Sequence, residues 1–266
     1  VFAVPLACED FNDGDVDAPF AVIFQNSNYT PTTSAEKFVA SPTDAADGVI
    51  HYFIPSGTNE RQPFQIEIGA EDFTAWFGQA YSSEIYFEWY EYFAANYSWP
   101  TGSQKIIRNG YSNEGDSQDP ERKESTLTIH GSNDWHQITT HCGVYGNPSL
   151  CEHDFFETED VDFPVGQWVK MGAWYDWNNN FIRFYENDVL VLEITSDISQ
   201  NTVKGANYAW IGGNYSMEGG VGGAANNSSR YINNLCVYAT KPTDDGGGDT
   251  ISETPISVLD TKRRRR

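Results

Sequence analysis

Lys105, Arg108, Arg122 and Lys123 stand within 19 residues of one another, and His130, His136 and His141 follow directly. Cations grouped in this way can neutralise an anionic ligand, and a histidine, tyrosine or lysine beside them can carry a proton to or from a reacting atom. The grouping works against an opposing field. The 266 residues carry 38 acidic and 16 basic side chains, a net charge of −22. Residues 243–266 hold five acids and five bases, so residues 1–242 keep 33 acids, 11 bases and the whole net charge. Four of those 11 bases lie in the one cluster. A shell this acidic repels nucleic acid and anionic lipid, which excludes a partner held mainly by phosphate contacts. Any polyanion must be gripped locally.

Other residues offer different chemistry. The run EIYFEWYEYF (84–93) alternates Tyr86, Glu88, Tyr90 and Tyr92 with Phe87, Trp89, Glu91 and Phe93. The first set suits a groove wall, and Trp99 in the loop beyond could be a platform for a sugar ring. EDFNDGDVD (9–17) is an oxygen-rich turn whose Asp10, Asn12 and Asp13, with Asn234 from near the end of the core, could ligate a structural Ca2+. Four cysteines allow three pairings. The natural one is local plus end-to-end, Cys142 with Cys151 and Cys8 with Cys236, with four buried thiols as the alternative. Paired cysteines point to an oxidising, extracellular compartment, and the long bridge requires the first and last strands to be neighbours.

Those side chains must be positioned by strands. Between Ala18 and Tyr238 the chain breaks into short apolar and aromatic runs, many with period two, separated by Gly, Asn, Asp, Ser and Pro. Strands are expected at 20–24, 49–54, 64–68, 84–93, 105–109, 125–130, 135–141, 168–177, 181–187, 189–194, 208–213 and 231–239, with short helices at 34–40 and 71–81. About a dozen strands of this kind make an all-β sandwich of two antiparallel sheets. No stretch approaches the roughly 18 apolar residues of a membrane-spanning helix, and no charged-then-apolar leader opens at Val1. Residues 1–242 are expected to form one domain and 243–266, ending in four arginines, a linker or tail.

Three segments taken together, 84–109, 165–194 and 208–239, resemble the concanavalin-A-like, laminin-G-like β-jelly-roll proteins. The aromatic strand, the Trp99-Pro100 loop and the Lys105-led strand are similar to the groove entry of jelly-roll polysaccharide lyases, among them ulvan lyases and glucuronate lyases of that fold. The chain departs from these families at three places, the first being Glu88, where related lyases often carry an arginine. Gln137-Ile138-Thr139 stands where alginate lyases carry Gln-Ile-His or Gln-Val-His, and the Glu-x-Asp-x-x-Glu of the glycoside-hydrolase branch is absent.

The resemblance implies β-elimination from a uronic acid, which needs a cation on the carboxylate, a base for the C5 proton and an acid for the leaving O4. Lys105 is the implied cation, and Tyr231 or Tyr215 the proton-transfer group. Arg230 beside Tyr231 could lower its pKa. Arg122, His136, His141, Tyr86, Glu88, Trp99 and Arg230 are the expected substrate contacts. Simple alternation separates Lys105 from Arg108 unless a bulge intervenes. The expectation is therefore a secreted, monomeric lyase without a catalytic cofactor, acting on an anionic polysaccharide, ulvan before glucuronan or alginate. A non-catalytic carbohydrate-binding jelly roll is the alternative, and a glycosidase would have to use Glu88 and Glu67.

Overall fold

Alternating runs punctuated by turn residues fold here as antiparallel strands. The computed structural model describes residues 4–23, 38–57, 60–61, 65–100, 103–111, 123–130, 135–142, 155–158, 163–195, 205–212, 215–216 and 224–242. In chain order the first elements are β1 (Ala7–Glu9), β2 (Ala21–Ile23), β3 (Phe38–Ala40), β4 (Gly48–Ile54), β5 (Glu60–Arg61), β6 (Gln65–Ile68) and α1 (Ala70–Phe77). They continue with β7 (Glu84–Phe93), β8 (Ser103–Tyr111), β9 (Lys123–His130), β10 (Trp135–Cys142), β11 (Phe155–Thr158) and β12 (Trp168–Asp176). The last are β13 (Phe181–Glu186), β14 (Val189–Ile194), β15 (Tyr208–Gly212), β16 (Tyr215–Ser216) and β17 (Ser228–Tyr238).

Two sheets result. Sheet I has the order β14-β13-β12-β7-β17-β4-β3, with β1 added beside β17. Sheet II has the order β11-β10-β9-β8-β15-β6-β2, with β16 joining β8 to β5. The alternation of β7 shows why they pack. Ile85, Phe87, Trp89 and Phe93 are fully buried on one side, while Tyr90 and Tyr92 are half-exposed on the other. Across the interface, Ile50, Trp89, Met171 and Ile232 of sheet I belong to one core with Ile66, Ile107, Leu127, Ile129 and Ile211 of sheet II. In the β13-β14 hairpin, Asn187 and Asp188 take φ of 50° and 65°, the left-handed values that a tight hairpin loop asks for.

The expected helix at 71–81 is α1. It buries Phe73 and stops at Gly78, whose φ of 65° no other residue type adopts as easily. The expected helix at 34–40 is corrected: Phe38–Ala40 pairs with Gly48–Ile50 as strand β3, where edge pairing overrides local propensity. Residues 34–37 lie outside the described residues. Strands β1, β3, β5, β11 and β16 are additional to the expected ones, because two to four residues are too few to display a period.

The end-to-end pairing is present. Cys8 lies directly opposite Cys236 on adjacent strands, and the two form a disulfide. Cys142 ends β10, but Cys151 lies outside the described residues, as does the tail 243–266. No helix among the described residues is long and apolar enough to cross a membrane.

Candidate functional site

The pairing of β8 with β9 sets the site. Lys105 lies opposite Thr128, but the next partner of Leu127 is Ile107, so Ile106 is the extra residue of a bulge. Ile106 and Ile107 are both fully buried in the core. In a regular strand, residues 105 and 108 point to opposite faces; one added residue brings Arg108 back to the face of Lys105. The condition that the sequence attached to this pair is thus met.

Beyond the bulge, Arg108 lies opposite Thr126 of β9 and Trp210 of β15. Its guanidinium carbon is 5.2 Å from the centre of the Trp210 ring, and that ring is 5.4 Å from Tyr208. Glu67 of β6 is the next residue along the row. The face is recessed. Thr126, Thr128 and Tyr208 are 1%, 5% and 5% exposed, although they point away from the core, and Lys105, Arg108 and Trp210 are half-buried. In such a recess a cation attracts a carboxylate more strongly than in bulk water.

Strand β10 extends the rows. Gln137 registers with Thr128 and through it with Lys105; Thr139 registers with Thr126 and through it with Arg108. His141 belongs to the alternation of Gln137 and Thr139, whereas His136 pairs with Ile129 in the alternation of the core row. On β16, Tyr215 registers with Gln104 of β8 and Arg61 of β5, so it stands on the sheet of Lys105 but in the alternation of the buried Gln104, one register position from Lys105.

Beneath the bulge lies a buried polar network. Glu91 of β7 and Arg230 of β17, neighbouring strands of sheet I and both 0% exposed, form an ion pair on the core side of that sheet through Arg230 Nε and Glu91 Oε1. Trp89 Nε1 donates to the other Glu91 oxygen at 3.4 Å. Burial pushes the Glu91 carboxyl above the usual carboxylate range, and the Arg230 charge opposes that push. Arg230 Nη1 donates to the main-chain oxygen of Lys105 at 3.0 Å, and Gln104 Nε2 donates to the same oxygen at 3.1 Å. Tyr97 Oη in turn donates to Gln104 Oε1 at 2.7 Å.

Several expected contacts are corrected by these positions. Arg230 is a core residue and does not reach solvent, nor does it face the Tyr231 phenol, which points to the other side of β17. Tyr231 lies on the outer face of sheet I, stacked on His51 at 4.7 Å and set edge-on to Tyr92 at 5.8 Å. Lys105 and Tyr231 therefore stand on opposite sides of the sandwich and cannot serve one reacting carbon.

Tyr86 is 1% exposed, and burial followed by the Glu88 charge pushes its phenol far above the usual range. It folds across Gly172, where a Cβ would lie 2.5 Å from its hydroxyl. Glu88, also on sheet I, is 3.1 Å from Lys170, which reaches Asp188 at 3.0 Å. Trp99, partly buried, packs against the core rings of Phe93 at 4.6 Å and Tyr97 at 5.0 Å. Glu88 and Glu67 are on different sheets and cannot flank one glycosidic bond. Arg122 lies outside the described residues.

The acidic turn is closed by its own hydrogen bonds. Glu9 accepts from the amides of Phe11 and Asp17, Asp10 from Asn12, and Asp13 from Asp15, while Asn12 Oδ1 takes the Gly48 amide at 2.7 Å. Asn234 turns its backbone into the left-handed region at φ 47°, and its amide is held by Asn233 Oδ1. Among the described residues no three acidic, histidine or cysteine side chains gather as metal ligands.

No protein-family model and no curated protein sequence matches the chain. Solved structures do. A marine alginate lyase from Aplysia kurodai superposes with a TM-score of 0.61 at 8% identity, covering 88% of this chain and 99% of that one. An endo-β-1,4-glucuronan lyase from the fungus Trichoderma reesei gives 0.56 at 11% identity over 90% and 96% of the two chains. A β-glucanase from Bacillus licheniformis gives 0.50 at 14% identity over 88% and 97%. The chain shares their β-jelly-roll fold of two antiparallel sheets. At such identities the likeness carries the architecture and leaves the chemistry to the site.

Proposed function

We propose that this protein is a polysaccharide lyase that cleaves a uronic-acid-containing polymer by β-elimination. The observation that carries the reading is the bulge at Ile106, which sets Lys105 and Arg108 on one recessed face beside Trp210. Two similar structures are lyases of alginate and glucuronan, and a recessed pair of cations is what their kind of substrate requires.

Lys105 and Arg108 neutralise the uronate carboxylate, so the charge that develops when the C5 proton leaves is stabilised as an enolate. The electron pair of the C5–H bond forms the C4=C5 double bond, the C4–O4 bond breaks, and O4 takes a proton. Trp210 offers a ring to the pyranose. Of the two tyrosines, Tyr215 is the one on the sheet of Lys105, in register with the residue before it, and it is assigned the proton transfer. The two cations stand within a strongly anionic shell, with Glu67 one strand beyond Trp210. That pattern favours a heteropolymer in which uronates are spaced by other sugars, ulvan first, over a continuous polyuronate. The disulfide accords with a secreted protein, and residues 1–242 are proposed as one monomeric domain with 243–266 as a tail.

Incubation with ulvan, glucuronan and alginate, followed by the ultraviolet absorbance of the new double bond, tests the reading. Lys105→Met should lose about 100-fold or more in kcat while keeping the fold. No absorbance rise on any uronate polymer would remove it.

A second reading, a non-catalytic glycan-binding domain, is favoured by the outer face of sheet I. There His51, Tyr231, Tyr92 and Trp168 line up in one cross-strand row, with ring centres 4.7, 5.8 and 5.5 Å apart. It predicts retarded migration in polysaccharide-containing gels with no unsaturated product.

A further inference from the structure

We infer that the buried Glu91–Arg230 pair is a positioning device: it clamps the β8 bulge from inside the sandwich and so holds Lys105 and Arg108 on one face. The inference rests on the lyase reading for its functional consequence, but its structural part does not. Arg230 is held at Nε by Glu91 and reaches with Nη1 across the inter-sheet space to the main-chain oxygen of Lys105 at 3.0 Å. That oxygen belongs to the residue at which the β8-β9 register shifts. Gln104, itself held by Tyr97, donates to the same oxygen, so two core side chains converge on one peptide.

A guanidinium suits this task where an ammonium does not. Its fork spreads several donors over a fixed plane, so that one edge binds the carboxylate while another reaches the carbonyl. The rings of Tyr52 and Phe93, each 5.4 Å from the Arg230 guanidinium carbon, steady that plane.

Stability alone does not account for the pair. Desolvating two charges costs several kcal/mol per ion, and well-packed apolar replacements of similar volume are often as stable or more so. Apolar residues could fill the same space between the sheets, yet none could donate to the Lys105 carbonyl. What charge adds at this place is a hold on the bulge.

The test replaces both partners, Glu91→Leu with Arg230→Met, so that no lone charge stays buried. Arg108→Met is then made in the native and in the doubly substituted protein. The melting temperature of the double variant should be unchanged or raised. Its kcat on the uronate polymer cleaved by the native protein should fall about 100-fold, the scale of an ångström-sized misplacement. Arg108→Met should cost a comparable factor in the native protein but less than about twofold in the double variant, because the two changes remove one shared arrangement. Amide hydrogen exchange over 103–111, which needs no substrate, should speed up about tenfold or more in the double variant while β12 is unaltered.

Native kcat in the double variant, additive losses in the cycle, or unaltered exchange over 103–111 would each overturn the clamp. Absence of product from the native protein on every polymer would instead defeat the lyase reading, and the exchange contrast would then decide the clamp by itself. Should the double variant fail to fold, Arg230→Lys keeps the charge opposite Glu91 but loses the fork, and the same outcomes apply.

Discussion

Arg108 lies against Trp210, with its guanidinium carbon 5.2 Å from the ring centre, on the same side of sheet II as Lys105 three residues earlier. In the proposed lyase the contact joins the group that meets the carboxylate to the ring that meets the sugar. Trp210→Ala should therefore raise KM about five- to tenfold, the range expected for losing a stacked ring and its cation contact, with a smaller change in kcat. Steady-state kinetics over a range of polymer concentrations reads the difference, and an unmoved KM would place substrate elsewhere.

The two tyrosines singled out by sequence separate by sheet. Tyr215→Phe should cost about 100- to 10,000-fold in kcat, the usual worth of a positioned proton-transfer group. Tyr231→Phe, on the far side of the sandwich, should leave kcat within about twofold, the small effect expected of a surface change away from the chemistry. Loss of turnover with Tyr231→Phe and not with Tyr215→Phe would move the reaction to sheet I.

His51 links stability to pH. Burial lowers its pKa from 6.5 to about 4, and its Nε2 lies 2.9 Å from Ser229 Oγ under the Tyr231 ring. The unfolded chain takes the proton first as pH falls, so the stabilisation is full above the unfolded value and fades between about 6.5 and 4. At most about 3 kcal/mol is at stake. Denaturant melts at a series of pH values should show this acid loss, and His51→Gln should flatten it. An equally steep acid limb in the variant would assign the loss to other groups.

The Cys8–Cys236 bridge spans 228 residues. Closing a loop of that length is worth about 5 kcal/mol through the unfolded chain. Cys8→Ala with Cys236→Ala should lower the denaturant midpoint accordingly and leave the far-ultraviolet spectrum native. A midpoint shift below about 1 kcal/mol would mean that the unfolded chain keeps its ends together without the bond.

Much of the fold was legible because strand burial writes a period of two into the sequence. Strands β7 and β14 fall on the expected residues, and Phe181, Arg183 and Tyr185 share a face as alternation requires. The same rule reads only faces, never which sheet a strand joins. Alternation therefore groups Tyr86, Glu88 and Tyr231 with Lys105, although β7 and β17 are strands of sheet I and β8 is a strand of sheet II. Trp99 shows a related limit, since an aromatic ring in a loop looks alike in the sequence whether it faces solvent or packs on Phe93.

Arg230 shows the limit most clearly. Nothing in its neighbours along the chain distinguishes a buried guanidinium from an exposed one; Glu91, its partner, is 139 residues away and sits in an otherwise apolar alternation. The consecutive pair Ile106-Ile107 was the one local sign of a bulge, because two adjacent buried residues violate the strand period.

From residue order alone came the class of fold, most strand positions, the acidic shell with its lone knot of bases, and the pairing of the chain's two ends, all of which follow from local period, charge and spacing. Tertiary structure decided which of those bases share a face. Whether a lysine and an arginine three apart face the same way depends on one inserted residue, and what holds it comes from a strand of the opposite sheet.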